Sequence, residues 1–310
     1  MNKRLVLQVA GRSHGFCSML FGNASFITLA VVFILGKLAA NLAMGASWFN
    51  ALRSGLMGFV FYVLACYVVH ILSKPDSDLI TDDTRALTGS YQIAVWTLLL
   101  FFILTIQVMN SYEVITLEIP VWGRINSLWQ SFVAGLAEKS DYIEGTGLVG
   151  WPYLLLYVVV PAVILWKNSG KLPQVFGFKL ERIGAALPFV IIYVLAFTFI
   201  RGITVANLLN FAFVLIWPGL GEEFFFRGVI QRQLVKAIGN PVTAIVLTSF
   251  IFAVSHIPIY VFGSSYSWVR LGSALLPLMF TSFFWGYGYY RTGVLWPWAV
   301  IHALSNLVGF

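Results

Sequence analysis

The sequence predicts an all-α fold, a polytopic transmembrane helical bundle of about eight to nine helices, and three observations carry that reading. Hydrophobic residues make up 59% of the 310-residue chain and charged residues only 10%, against about 25% charged in an ordinary soluble domain. The apolar residues come in blocks of about 20, the length that crosses a ~30 Å hydrocarbon core at ~1.5 Å per residue. The basic residues behind the net charge of +7 lie singly between those blocks. That is the pattern of membrane-edge charges, and it lacks the basic stripe that nucleic acid requires, so the bilayer is the expected partner and nucleic acid is not.

The basic start, Met1 to Ala10, is not followed by a compact apolar region with a small-residue cleavage site, so the N-terminus is expected to be retained. Cys17 and Cys66 have neither disulfide-framework nor metal-ligand spacing and read as small packing residues. Apolar runs bounded by charges or by Gly, Pro and Asn predict spans near Ala24 to Met44, Gly55 to Ser73, Tyr91 to Met109, Leu148 to Trp166 and Ile183 to Ile200. A long segment from Val205 to Lys236 follows, containing Pro218, Gly219 and Gly221, and then spans near Pro241 to Ile257, Leu271 to Tyr290 and Gly293 to Phe310. The loop Lys167 to Arg182 holds Lys167, Lys171, Lys179 and Arg182 against the single acid Glu181, which places it in the cytoplasm. Alternating spans then put the N-terminus, the turn after Lys236 and Arg291 on that same side, with the cell membrane as the expected location. Residues 1–182 carry no recognised motif; residues 183–310 hold the chemistry.

From Ile183 to the C-terminus the only acidic side chains are the adjacent Glu222 and Glu223, inside an expected span. An acid at the centre of a membrane helix costs roughly 2.5 to 3.5 kcal/mol on the insertion scale, so the pair requires partners or a water-filled cavity. Arg227, four residues after Glu223, is its natural partner on one helical face, while Glu222 points about 100° away and is left for other work. A buried Glu/Arg pair that merely fixes packing is the bland alternative. Two of the four histidines, His256 and His302, lie in spans after the pair.

Gly239, Asn240 and Pro241 predict a turn midway between Glu222 and His256, and a helical hairpin folded there brings both to about 25 Å from the turn. Counted from Gly293, His302 lies about 14 Å and Asn306 about 20 Å in, so the four share one layer if tilt is modest. The residual offset of several ångströms between His302 and His256 argues against both imidazoles meeting one metal ion. A glutamate beside a histidine can deprotonate water, and a second histidine with an asparagine amide can donate to the oxyanion formed when that water attacks an amide. These residues read as a hydrolase.

Three motifs occur in order: Glu222-Glu223-Phe-Phe-Phe-Arg227 as E-E-x-x-x-R, Phe252-Ala-Val-Ser-His256 as F-x-x-x-H, and His302-Ala-Leu-Ser-Asn306 as H-x-x-x-N. Together they resemble the CPBP (Abi) family of intramembrane proteases, which includes type II CAAX prenyl proteases and bacteriocin-processing or self-immunity proteins. The resemblance covers about residues 203 to 310. It implies that Glu222 and His256 activate water, that His302 and Asn306 form an oxyanion hole, and that Glu223 and Arg227 support the site. It also implies a membrane-anchored peptide or protein as substrate. Family members have been described both as metalloproteases and as glutamate-type proteases; this sequence lacks H-E-x-x-H, so a metal-free site is expected, with zinc the alternative. A non-catalytic bacteriocin-immunity protein, or a proton-coupled transporter using the same residues as a relay, is the competing function; the transporter would require mirrored broken helices, and the sequence has no such symmetry.

Overall fold

The computed structural model describes residues 3–73, 120–137 and 183–309, with short helical pieces at 105–106, 109, 155–159 and 161–163. The spans expected at Tyr91 to Met109 and Leu148 to Trp166, apart from those pieces, and the loop Lys167 to Arg182 lie outside the described residues. Among the described residues the fold is all-helical, with no strand. The first helices are α1 (Lys3–Phe21), α2 (Ala24–Ala43), α3 (Trp48–Leu72) and α4 (Pro120–Ala137). After them come α5 (Leu187–Arg201), α6 (Val205–Ile238), α7 (Pro241–Ser255), α8 (Trp268–Thr292) and α9 (Trp296–Val308). A wide turn at Ile259–Gly263 extends α7.

Four of these helices are long and apolar enough to cross a bilayer: α2, α3, α6, and α7 with its extension to Gly263. Their outer faces are apolar, as Val31, Val32, Leu35, Phe61 and Leu64 illustrate, which suits contact with lipid and not with water. Two expected spans are shorter than anticipated. α5 has 15 residues and α9 has 13, about 20 Å in the latter case, less than the ~30 Å hydrocarbon core. α8 has the length, 25 residues, but a central run of Ser, Thr, Gly and Tyr that only a protein-covered helix tolerates. Every residue from Phe280 to Thr292 is buried.

α1 was not expected, because its sequence carries no long apolar run. It holds to the bundle through Phe16 and Leu20, both buried, with the Phe16 ring 5.4 Å from Tyr67 and 5.3 Å from His70. Asn23 caps α2 by accepting from the Phe26 amide at 3.1 Å. Its own amide nitrogen donates to Asn240 Oδ1 at 3.0 Å, so the start of α2 and the turn before α7 sit at the same end of the bundle. Arg291 joins that end by donating to the carbonyls of His70 and Ser73 at 3.0 and 2.6 Å.

The turn between α6 and α7 follows its local chemistry. Gly239 takes φ 70° and ends α6, Asn240 accepts from the Thr243 amide at 3.1 Å, and Pro241 opens α7 where its missing N–H costs nothing. Within α6 the backbone widens to π-helical geometry over Leu215–Glu222 and again over Phe224–Gln231. Pro218 lies in the first of these stretches, where its absent donor and ring preclude a regular ladder. Gly219 lets α6 approach α9 closely, since a Cβ there would lie 2.8 Å from the Ala299 carbonyl oxygen.

Candidate active site

The site is built on three helices around α8. Glu222 is 3% exposed and Glu223 and Arg227 are 0% exposed. As the spacing predicts, Arg227 pairs with Glu223, its Nη1 3.1 Å from Oε1. The guanidinium is held from α8 by Ser282, donating to the carbonyl at 3.0 Å and to Oγ at 2.9 Å. Two rings enclose it, with Cζ 4.8 Å from the centroid of Phe252 and 5.5 Å from that of Trp285. The charge is thus delocalised over two aromatic faces and one carboxylate in the interior of the bundle.

Both histidines have their tautomers set by a neighbour. His256 ends α7 and its Nδ1–H donates to the Phe252 carbonyl at 2.8 Å. His302 Nδ1–H donates to Glu223 Oε1 at 2.9 Å. Since a carbonyl and an arginine-paired carboxylate only accept, each Nδ1 carries the proton, and in the neutral ring Nε2 is a bare acceptor. Both Nε2 atoms face Glu222 Oε2, His256 at 3.9 Å and His302 at 3.8 Å.

That convergence corrects the depth estimate, which separated the two imidazoles by several ångströms. The count for α9 started at Gly293 as though that turn lay at the membrane edge. In fact Val294 and Leu295 are 0% and 1% exposed, whereas Ile238 beside the other turn is 39% exposed. α9 therefore begins deep within the bundle, and His302 reaches the layer of His256 after fewer residues.

Five of the six expected residues, Glu222, Glu223, Arg227, His256 and His302, form one contact set. Asn306, one turn beyond His302, is exposed, and its side chain makes no hydrogen bond with another described residue. Three further residues complete the arrangement. Phe252, fully buried, lies 4.7 Å from His256 and 5.9 Å from His302, so the first position of F-x-x-x-H is a spacer between the two imidazoles and the guanidinium. Ser282 fixes Arg227, and Trp285 stacks on His302 at 4.1 Å and 24°. Sequence reasoning missed both because α8 carries no acid or histidine; the available signal was the polar, small-residue run Thr281 to Tyr290, unsuited to a lipid-facing span.

Two imine nitrogens and one carboxylate oxygen directed at one place are a His₂Glu donor set, and the Nδ1–H contacts are of the kind that orient zinc ligands. Among the described residues, however, no three His, Cys, Asp or Glu side chains are drawn into metal-ligand spacing. The gaps of 3.8 and 3.9 Å exceed a direct hydrogen bond and suit a bridging water.

No curated protein and no solved structure matches the chain. Residues 204–308 match the family model described as type II CAAX prenyl endopeptidase Rce1-like, a stretch that begins at the foot of α6 and ends with α9, and so contains every residue of the contact set. Over this segment the chain, four of whose described helices are long and apolar enough to cross a membrane, is similar to the Rce1-like family.

Proposed function

We propose that the chain hydrolyses a peptide bond of a membrane-associated or lipid-anchored substrate with a water activated by Glu222 and His256. The observation that carries this reading is Glu222 Oε2, buried and flanked by two imidazoles at 3.9 and 3.8 Å, beside a second glutamate already paired with arginine. A water bridging Glu222 Oε2 and His256 Nε2 donates one hydrogen to each, which turns its lone pair toward a carbonyl presented from the open side of the site. As the water oxygen bonds to the carbonyl carbon, its proton passes to Glu222 and the negative charge moves to the carbonyl oxygen. Glu222 then returns that proton to the amide nitrogen as the C–N bond breaks, giving an amine and a carboxylic acid, whose remaining proton passes to Glu222 as the products leave.

Arg227 balances one of the two carboxylates, and a single proton shared among Glu222, His256 and His302 balances the other. A neutral cluster is the inexpensive one inside a bilayer. His302 serves as an oxyanion donor when it holds that proton on Nε2 with its Nδ1–H still on Glu223. Asn306, at the exposed end of the site, meets the substrate from the side. If zinc were bound, Glu222, His256 and His302 would hold it and it would polarise the same water; the metal-free reading is preferred because the sequence lacks H-E-x-x-H or another compact zinc signature. We place the protein in the cell membrane, with α1 and Arg291 at the cytoplasmic end.

The test is cleavage of a quenched, prenylated peptide by the full chain in liposomes. Glu222→Gln keeps shape and hydrogen bonding but removes the charge that takes the proton, so turnover falls at least about a hundredfold while the unfolding midpoint is retained. Near-normal turnover by Glu222→Gln overturns the assignment.

A further inference from the structure

Trp285 is 1% exposed, and its indole Nε1–H, also buried, has no hydrogen-bond acceptor among the described residues. Buried indole donors are ordinarily paired, and lipid offers no acceptor in the place of a missing partner. The ring contacts of this indole are with site residues. It lies against His302 at 4.1 Å, edge-on to Phe252 at 6.1 Å and 86°, and beneath the Arg227 guanidinium at 5.5 Å. An unsatisfied donor at that position is a donor held ready for an acceptor that arrives with the substrate.

The reaction requires such a donor. A tetrahedral intermediate places a full negative charge on the former carbonyl oxygen; His302 offers it one donor when its Nε2 is protonated, and a second fixed donor strengthens that stabilisation. Arg227 is committed through Nη1 to the ion pair with Glu223 and through Nη2 to Ser282, although its Nε–H, like the indole N–H, has no acceptor among the described residues. We infer that Trp285 Nε1–H is an oxyanion donor of this site, receiving the carbonyl oxygen of the scissile bond as charge develops on it. The inference rests on the proposed hydrolytic function. It assigns to α8 a part in catalysis beyond the three motifs, which lie on α6, α7 and α9.

Trp285→Phe retains an aromatic ring against His302 and deletes the N–H. In the same liposome assay its kcat falls about a hundredfold, the effect of losing one oxyanion donor, while KM stays within about twofold because the donor acts on charge present only in the transition state. The unfolding midpoint without substrate is unchanged or raised, since removal of an unpaired buried N–H relieves an unmet group. Trp285→His, which restores a ring N–H, recovers part of the lost kcat. Wild-type kcat in Trp285→Phe overturns the proposal, as does a lowered midpoint with wild-type kcat in the folded fraction, which would mean that the N–H has a structural partner. Should the phenylalanine variant not fold, β-(3-benzothienyl)alanine at this position, which exchanges NH for S in the same outline, is read in the same two ways. Failure of the hydrolytic reading looks different: the wild type is then no more active than Glu222→Gln.

Discussion

Arg227→Met removes the one guanidinium in the site while leaving an apolar stem of similar length. In the wild type that group stands 3.1 Å from Glu223 Oε1 and donates to the Ser282 carbonyl and hydroxyl at 3.0 and 2.9 Å. Both ion-pair side chains are 0% exposed, so neither solvent nor headgroup screens the carboxylate left behind. Breaking a buried pair from one side costs about 3 to 5 kcal/mol, and the methionine prevents a cavity from adding to it. Denaturant unfolding in mixed micelles reads this loss directly. The paired control is Glu223→Gln with Arg227→Met, which removes both charges and leaves an amide oxygen to accept from His302. Its stability returns to within about 1 kcal/mol of the wild type, because two neutral groups of similar volume need no compensation. Its turnover does not return, because His302 has lost the carboxylate that supports a proton on its ring. A single Arg227→Met variant as stable as the wild type would refute the reasoning, since Glu223 would then have to be neutral or balanced elsewhere.

Two further outcomes follow from the same geometry. Chelator dialysis should leave peptide cleavage intact and the purified protein free of stoichiometric metal; loss of activity restored by one equivalent of zinc would instead make Glu222, His256 and His302 ligands. Gly288→Ala should destabilise the fold by about 1 to 3 kcal/mol through overpacking, because a Cβ there meets the ring of Trp298 at 2.1 Å; wild-type stability in thermal melts would show that α8 and α9 can separate freely.

The parts legible in the sequence are those fixed by short-range rules. Gly239-Asn240-Pro241 ends one helix and caps the next whatever surrounds it, so the hairpin that aligns Glu222 with His256 could be read without a structure. The split between Glu223, committed to Arg227, and Glu222, left for the histidines, follows equally from four-residue spacing. What could not be read depends on neighbours far along the chain. The depth of α9 is set by the burial of Val294 and Leu295, and nothing in those residues distinguishes a buried turn from one at the membrane edge. α1 forms a helix whose anchoring residues, Phe16 and Leu20, find their partners only in the folded bundle. The involvement of Ser282 and Trp285 was hidden because neither is an acid, a base or a metal ligand, and each acquires its meaning from Arg227 and His302 across the interface.

The motif-free helices also explain how α8 can carry a polar face toward the site at all. Elsewhere on its surface α8 presents Thr281, Tyr287 and Arg291, groups that lipid cannot satisfy. α3 meets each of them: Tyr62 hydrogen-bonds with Thr281 Oγ1, His70 Nδ1 with the Tyr287 hydroxyl at 2.6 Å, and Ser73 Oγ accepts from Arg291 Nε at 3.1 Å. α2 fills the apolar gaps between them, with Phe33 4.5 Å from Phe280 and Phe26 5.2 Å from Phe283. One hydrophobic core therefore runs from Phe16 in α1 to Ile301 in α9, across the boundary between residues 182 and 183 that the motifs suggest. Helices α1 to α3 contribute no residue to the contact set around Glu222, yet they supply the hydrogen bonds that allow α8 to stand at the centre of the bundle. Only a helix satisfied elsewhere on its surface can hold Ser282 against Arg227 and Trp285 against His302 without presenting unmet groups to lipid.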